Sequence, residues 1–128
     1  MKIKSVLICI LMVIVLLFSF GLRSNKRIVI NFTIECGFYD NQVKVLFDNK
    51  LIYNRKHVIT DETSGVAGSF KIISKGGLHK MLFIVDNNLK KYYTFNSDTC
   101  TNNTLYFGLQ NLNNQLHINY YRNPPMYQ

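Results

Sequence analysis

Tryptophan is absent from this 128-residue chain, its acidic side chains number only seven, and both prolines lie in the last five residues. Each shortage excludes something. A calcium loop needs several acids at alternate positions, and a glycosidase needs two carboxyls facing across a site. Here only Asp61 and Glu62 are adjacent, in a Thr/Ser/Gly stretch that places them in solvent. The three cysteines (Cys9, Cys36, Cys100) and three histidines (His57, His79, His117) fall at no metal-ligand spacing, so neither a metal nor a cofactor is expected. Each histidine is expected at the surface or at a strand edge. The serines lack a nucleophile-elbow context, and Gly76-Gly77 reads as a hairpin turn rather than a phosphate loop. The expectation is a protein without catalysis.

What the chain does have is one uncharged apolar run, Ser5 to Leu22, preceded by Lys2 and Lys4 and followed by Arg23, Lys26 and Arg27. As a helix, 18 residues span about 27 Å, close to the ~30 Å hydrocarbon core of a bilayer. The run is longer than the apolar core of a usual secretory signal, and it offers only Ser19-Phe20-Gly21 as a small-residue cleavage point. A membrane-spanning signal anchor over residues 1–26 is therefore the first expectation, and a cleaved signal peptide the second. Cys9 reads as a small apolar residue of that helix. The basic flanks are nearly balanced, and a short basic amino terminus favours placing the remaining chain outside the cytoplasm.

The formal charge is +8, but five of the 15 basic residues flank the apolar run, so residues 28–128 carry ten basic and seven acidic side chains, a net +3. That ordinary surface gives no reason to expect nucleic acid as a partner.

Residues 27–123 read as one domain of short alternating runs separated by turn residues, with no helical periodicity. Ile28, Ile30, Phe32 and Ile34 alternate with Val29, Asn31, Thr33 and Glu35, and Cys36 continues the inward row. Val43, Val45 and Phe47 repeat the pattern, and Asp48-Asn49-Lys50 turns the chain into Leu51–Tyr53. Further strands are expected at 69–73, 79–85, 90–95, 104–109 and 115–121. The strand at 79–85 is apolar on both faces and is expected to be central. Eight strands with short polar turns and no crossover helices predict an antiparallel β-sandwich, whose layout is broadly similar to immunoglobulin-like or transthyretin-like sandwiches. Residues 124–128 form a proline-rich tail, and Pro124-Pro125-Met126-Tyr127 resembles a WW-domain ligand motif, which needs a cytosolic tail.

Outside the cytoplasm, Cys36 and Cys100 are expected to form a disulfide closing a loop of roughly 64 residues. Tyr92-Tyr93 and Tyr120-Tyr121 each place one ring outward on a strand, and with Tyr106 they make a candidate aromatic contact surface for a sugar or a protein. Asn31-Phe32-Thr33 and Asn102-Asn103-Thr104 match the N-glycosylation pattern. The functional expectation is a membrane-anchored or secreted binding module for a protein or glycan ligand. The alternative is a membrane-tethered inhibitor or immunity-type protein that neutralises a protein partner.

Overall fold

The computed structural model describes residues 2–21, 26–100 and 102–127. Helix α1 (Lys2–Gly21) carries the apolar run, and its apolar side chains from Ile3 to Val15 are all exposed. Among the described residues, no helix is long and apolar enough to cross a membrane. Leu22 and Arg23, part of the expected anchor and its flank, lie outside the described residues.

Eight strands follow: β1 (Arg27–Ile34), β2 (Tyr39–Phe47), β3 (Lys50–Ile59), β4 (Gly68–Lys75), β5 (Leu78–Val85), β6 (Leu89–Asn96), β7 (Thr104–Leu112) and β8 (Gln115–Tyr121). They form two four-stranded sheets, β4-β1-β7-β8 and β3-β2-β5-β6. β5 is an interior strand, as its two apolar faces require. β2 starts earlier and β3 ends later than the alternation suggests. The polar run Asn54-Arg55-Lys56-His57 belongs to the edge strand β3, where exposure removes the need for an apolar face.

One correction concerns direction. The sandwich is not wholly antiparallel, because β1 pairs with β7 in parallel, Ile30 beside Leu105 and Phe32 beside Phe107. Strands 2 to 6 make the long crossover that a parallel pair needs, and they do so without a helix. This order differs from the 1-2-5-4 over 3-6-7 of immunoglobulin constant domains.

Three hairpins close on two left-handed residues each: Asp48-Asn49 (φ 47° and 67°), Asp86-Asn87 (50° and 61°) and Asn113-Asn114 (52° and 58°). Tight primed turns need positive φ at both positions, and Asp and Asn tolerate it best after glycine. Part of the asparagine content is thus a turn requirement.

The inward row of β1 (Ile28, Ile30, Phe32, Ile34) packs between Val43, Val45, Met81, Phe83 and Val85 of one sheet and Leu105, Phe107 and Leu109 of its own. Phe32 sits at the centre, stacked on Phe70 at 5.0 Å and on Phe107 at 5.2 Å, and tilted against Phe83 at 5.9 Å. Truncating it removes contacts with both sheets. Phe32→Ala is expected to lower unfolding stability by about 3–5 kcal/mol in urea melts, and an unchanged midpoint would overturn this packing.

Candidate functional site

The two sheets part where their edge strands β6 and β8 face each other. A cleft of about 720 Å³ opens there, walled by Tyr93 and Phe95 of β6, Tyr120 of β8 and the β6–β7 loop, with Phe107 of β7 as its floor. The lining follows from strand phase. Met81 pairs with Tyr93 and His79 with Phe95, and both partners point inward, so Tyr93 and Phe95 face the other sheet. Tyr120 pairs with buried Phe107 and also turns inward. The rings meet at Phe107, with centroids 5.5 Å from Tyr93, 5.1 Å from Phe95 and 5.5 Å from Tyr120.

Arg122 and the amides of Asn96, Asn102 and Asn123 complete the wall. Burial holds the Tyr120 phenol above its ordinary pKa, and the neighbouring Cys100 adds to the rise while Arg122 opposes it. The cleft is therefore apolar at its floor and polar, with a positive side chain, at its wall. This is the usual makeup of a recognition site.

The five tyrosines expected as one contact surface lie in three places. Tyr93 and Tyr120 line the cleft. Tyr106 and Tyr121 are cross-strand neighbours on the outer face of β7 and β8. Tyr92 lies on the outer face of the other sheet, with the Lys80 ammonium 4.9 Å from its ring centre.

A second polar centre sits on the outer face of β1 and β7, and the sequence gives little warning of it. Alternation assigns Glu35 to solvent, yet it is only 3% exposed. Its carboxylate accepts hydrogen bonds from Gln110 Nε2 (2.7 Å), the Tyr121 hydroxyl (2.7 Å) and the Tyr127 hydroxyl (2.9 Å). It lies across Gly108, where any Cβ would run into the carboxylate. A glycine in mid-strand signals such a close approach, and Gly108 was the available clue. The tail folds back over the sheet to deliver Tyr127.

The histidines are engaged separately. His79, expected at a strand edge, is 7% exposed and held between Phe47 and Phe95. Its Nδ1 lies 2.7 Å from Asp48 Oδ2 and its Nε2 lies 2.8 Å from Lys75 O, so neither nitrogen is free for a ligand. The turn aspartate next to a core phenylalanine explains this burial. His57 meets Asp40 at 2.7 Å in the open, both in left-handed backbone at the irregular start of the β2–β3 pairing. His117 is exposed. Asp61 caps its own loop through Ser64 and Thr63, bonds that lower its pKa, and Glu62 is exposed. Among the described residues, no three His, Cys, Asp or Glu side chains converge on a metal position.

The expected Cys36–Cys100 disulfide is not formed, and both thiols are free. Cys100 lies beside Lys26, whose Nζ donates to its carbonyl at 2.8 Å, just before β1 begins. Cys36 follows the far end of that eight-residue strand. At ~3.3 Å per residue the strand separates them by roughly 26 Å, against the ~7 Å limit for a bridge.

Residues 4–81 match the model of a family described as class II histocompatibility antigen, beta domain. The matched stretch runs from α1 through β4 into β5, and the cleft residues from Tyr93 onward lie beyond it. No curated protein and no solved structure matches the chain.

The Glu35 centre makes stability sensitive to alkali. Burial and the Glu35 carboxylate push the Tyr121 phenol up to about 12, from an ordinary 10.0. Burial, with Glu35 adding to it, does the same at Tyr127, also to about 12. A group whose folded pKa is raised contributes stability that is complete below its unfolded pKa and is lost as pH climbs to the folded one. Urea stability is expected to fall between pH 10 and about 12, more steeply than in a Tyr121→Phe, Tyr127→Phe variant. Equal slopes would overturn the assignment.

Proposed function

Because the chain belongs to the class II histocompatibility antigen beta-domain family, we infer that it is an extracytoplasmic interaction module that binds a protein partner without catalysis. The ligand site of this reading is the aromatic cleft between β6 and β8, and the cleft carries the reading by itself. Three of its rings lie 5.1–5.5 Å from the fourth, Phe107, around an opening of about 720 Å³. An aromatic or large aliphatic side chain of a partner fits on Phe107, and an acidic neighbour of that side chain meets Arg122. Buried aromatic anchors beside an arginine are where binding energy concentrates in protein interfaces. Binding rather than chemistry is supported by His79, committed to Asp48 and Lys75, and by His57, committed to Asp40.

The test is a displayed peptide library panned on the full chain. Enriched peptides should carry an aromatic residue beside an acid. Tyr120→Ala and Arg122→Glu should each weaken them about tenfold, or about 1.4 kcal/mol. No enrichment, or peptides indifferent to both substitutions, would refute the cleft as the site.

The same reading places α1 in a membrane as the tether of the module. The apolar side chains of α1 from Ile3 to Val15 are exposed on every side of the helix. The chain should float with phosphatidylcholine vesicles in a density gradient. Replacing both Ile8 and Leu11 by Lys, at about 2.5–3.5 kcal/mol each near the helix centre, should return it to the aqueous fraction. Wild-type protein that stays in the aqueous fraction would sink the tether.

A further inference from the structure

β7 begins in the wall of the aromatic cleft and ends in the wall of a different groove. Asn41, Asn88, Asn111 and Asn114, with Val85 and Leu89, enclose about 440 Å³ between the β5–β6 and β7–β8 turns. A shallower hollow of about 270 Å³ shares Asn41, Asn111 and Asn114 and adds Tyr39. The protein-binding reading uses none of these residues.

One charged side chain, Asp86, lines the groove. Asp86 spends one carboxylate oxygen on Asn41 Nδ2 at 2.6 Å and the other on the Gln42 backbone N–H at 2.7 Å. Lys44 reaches Asn87 Oδ1 at 2.8 Å. Asn41 is fixed at both ends of its amide, since its Oδ1 also accepts from the Tyr39 N–H at 2.6 Å. What remains available is a set of neutral amides, and an amide presents a donor and an acceptor side by side.

Turn geometry explains only some of them. Asn113 and Asn114 have the left-handed backbone that their hairpin demands, whereas Asn41, Asn88 and Asn111 do not. Asn111 Oδ1 is buried and has no hydrogen-bond partner among the described residues. A buried acceptor without a donor is costly, and such a group in a native fold calls for an explanation. Tyr39 stands at the rim with 79% of its surface exposed, a flat apolar face next to polar amides.

The geometry points to a saccharide site: one neutral sugar ring whose vicinal hydroxyls bond the amides of Asn88, Asn111 and Asn114, and whose C–H face lies on Tyr39. A hydroxyl donates and accepts at once, so vicinal hydroxyls match amides that each present a donor and an acceptor. Peptide side chains suit the groove less, because its apolar lining amounts to the flanks of Val85 and Leu89. An anionic ligand would be repelled by the Asp86 carboxylate in the lining.

The experiment uses the full isotope-labelled chain in phosphocholine micelles, which carry no sugar headgroup. It is titrated with the methyl glycosides of glucose, mannose, galactose and N-acetylglucosamine while side-chain amide resonances are followed. At least one glycoside should give saturable millimolar binding with shifts at Asn88 and Asn111. Asn88→Ala and Tyr39→Ala, both at exposed positions, should weaken it several-fold, while Tyr120→Ala in the cleft leaves it unchanged. Absence of saturable shifts with every glycoside would overturn the proposal and leave water as the occupant of the groove. Binding that survives Asn88→Ala and Tyr39→Ala, or that maps to the cleft, would overturn it equally.

Discussion

The parallel pairing of β1 with β7 is the constraint on which the rest of the molecule depends. Antiparallel hairpins assemble locally from neighbouring strands, but this pair joins the first strand to the seventh. It fixes Phe107 against Phe32 and so sets the floor of the aromatic cleft. The Glu35 N–H bonds to the Leu109 carbonyl at 2.8 Å as the pairing runs past the end of β1, and this step lays the Glu35 carboxylate over Gly108. Lose the register by one residue and every inward side chain of β7 turns outward. The core, the cleft floor and the carboxylate cradle would all go at once.

Much of the fold was legible because period-two alternation is a local property. The inward rows Ile28-Ile30-Phe32-Ile34 and Val43-Val45-Phe47 are all buried, and the Asp-Asn and Asn-Asn turns fall where the chain turns. The parallel pair was not legible, since register between distant strands leaves no mark on either strand's own pattern. The β3 extension was missed for a different reason: an edge strand exposed on most of its length can be polar and bulged, and charged residues there discourage pairing with other chains.

The candidate sites were less readable because they depend on which of two adjacent residues faces inward. Tyr92-Tyr93 and Tyr120-Tyr121 each contribute one ring to an outer face and one to the cleft side, and the sequence places one of each pair outward without saying which. Glu35 and His79 follow a different logic. Both are polar residues at the end of an apolar row, and both are buried by partners far along the chain: Gln110, Tyr121 and Tyr127 for the first, Asp48 for the second. Burial of that kind is a long-range fact. The one local trace was glycine at position 108, where a strand interior would ordinarily carry a side chain.

The order in which the chain is made gives the β1–β7 pairing a further meaning. β1 emerges directly behind the apolar helix, whereas β7 begins about 70 residues later. At ~5–20 residues per second, synthesis leaves that edge of β1 without its partner for several seconds. During that interval β4 can cover one side of β1, while the other presents unpaired N–H and C=O groups flanked by isoleucines. A nascent strand in this condition is a template for a neighbouring copy's β1 or β7 as readily as for its own. Yield in production should therefore depend on how crowded the nascent chains are as well as on the stability of the finished fold.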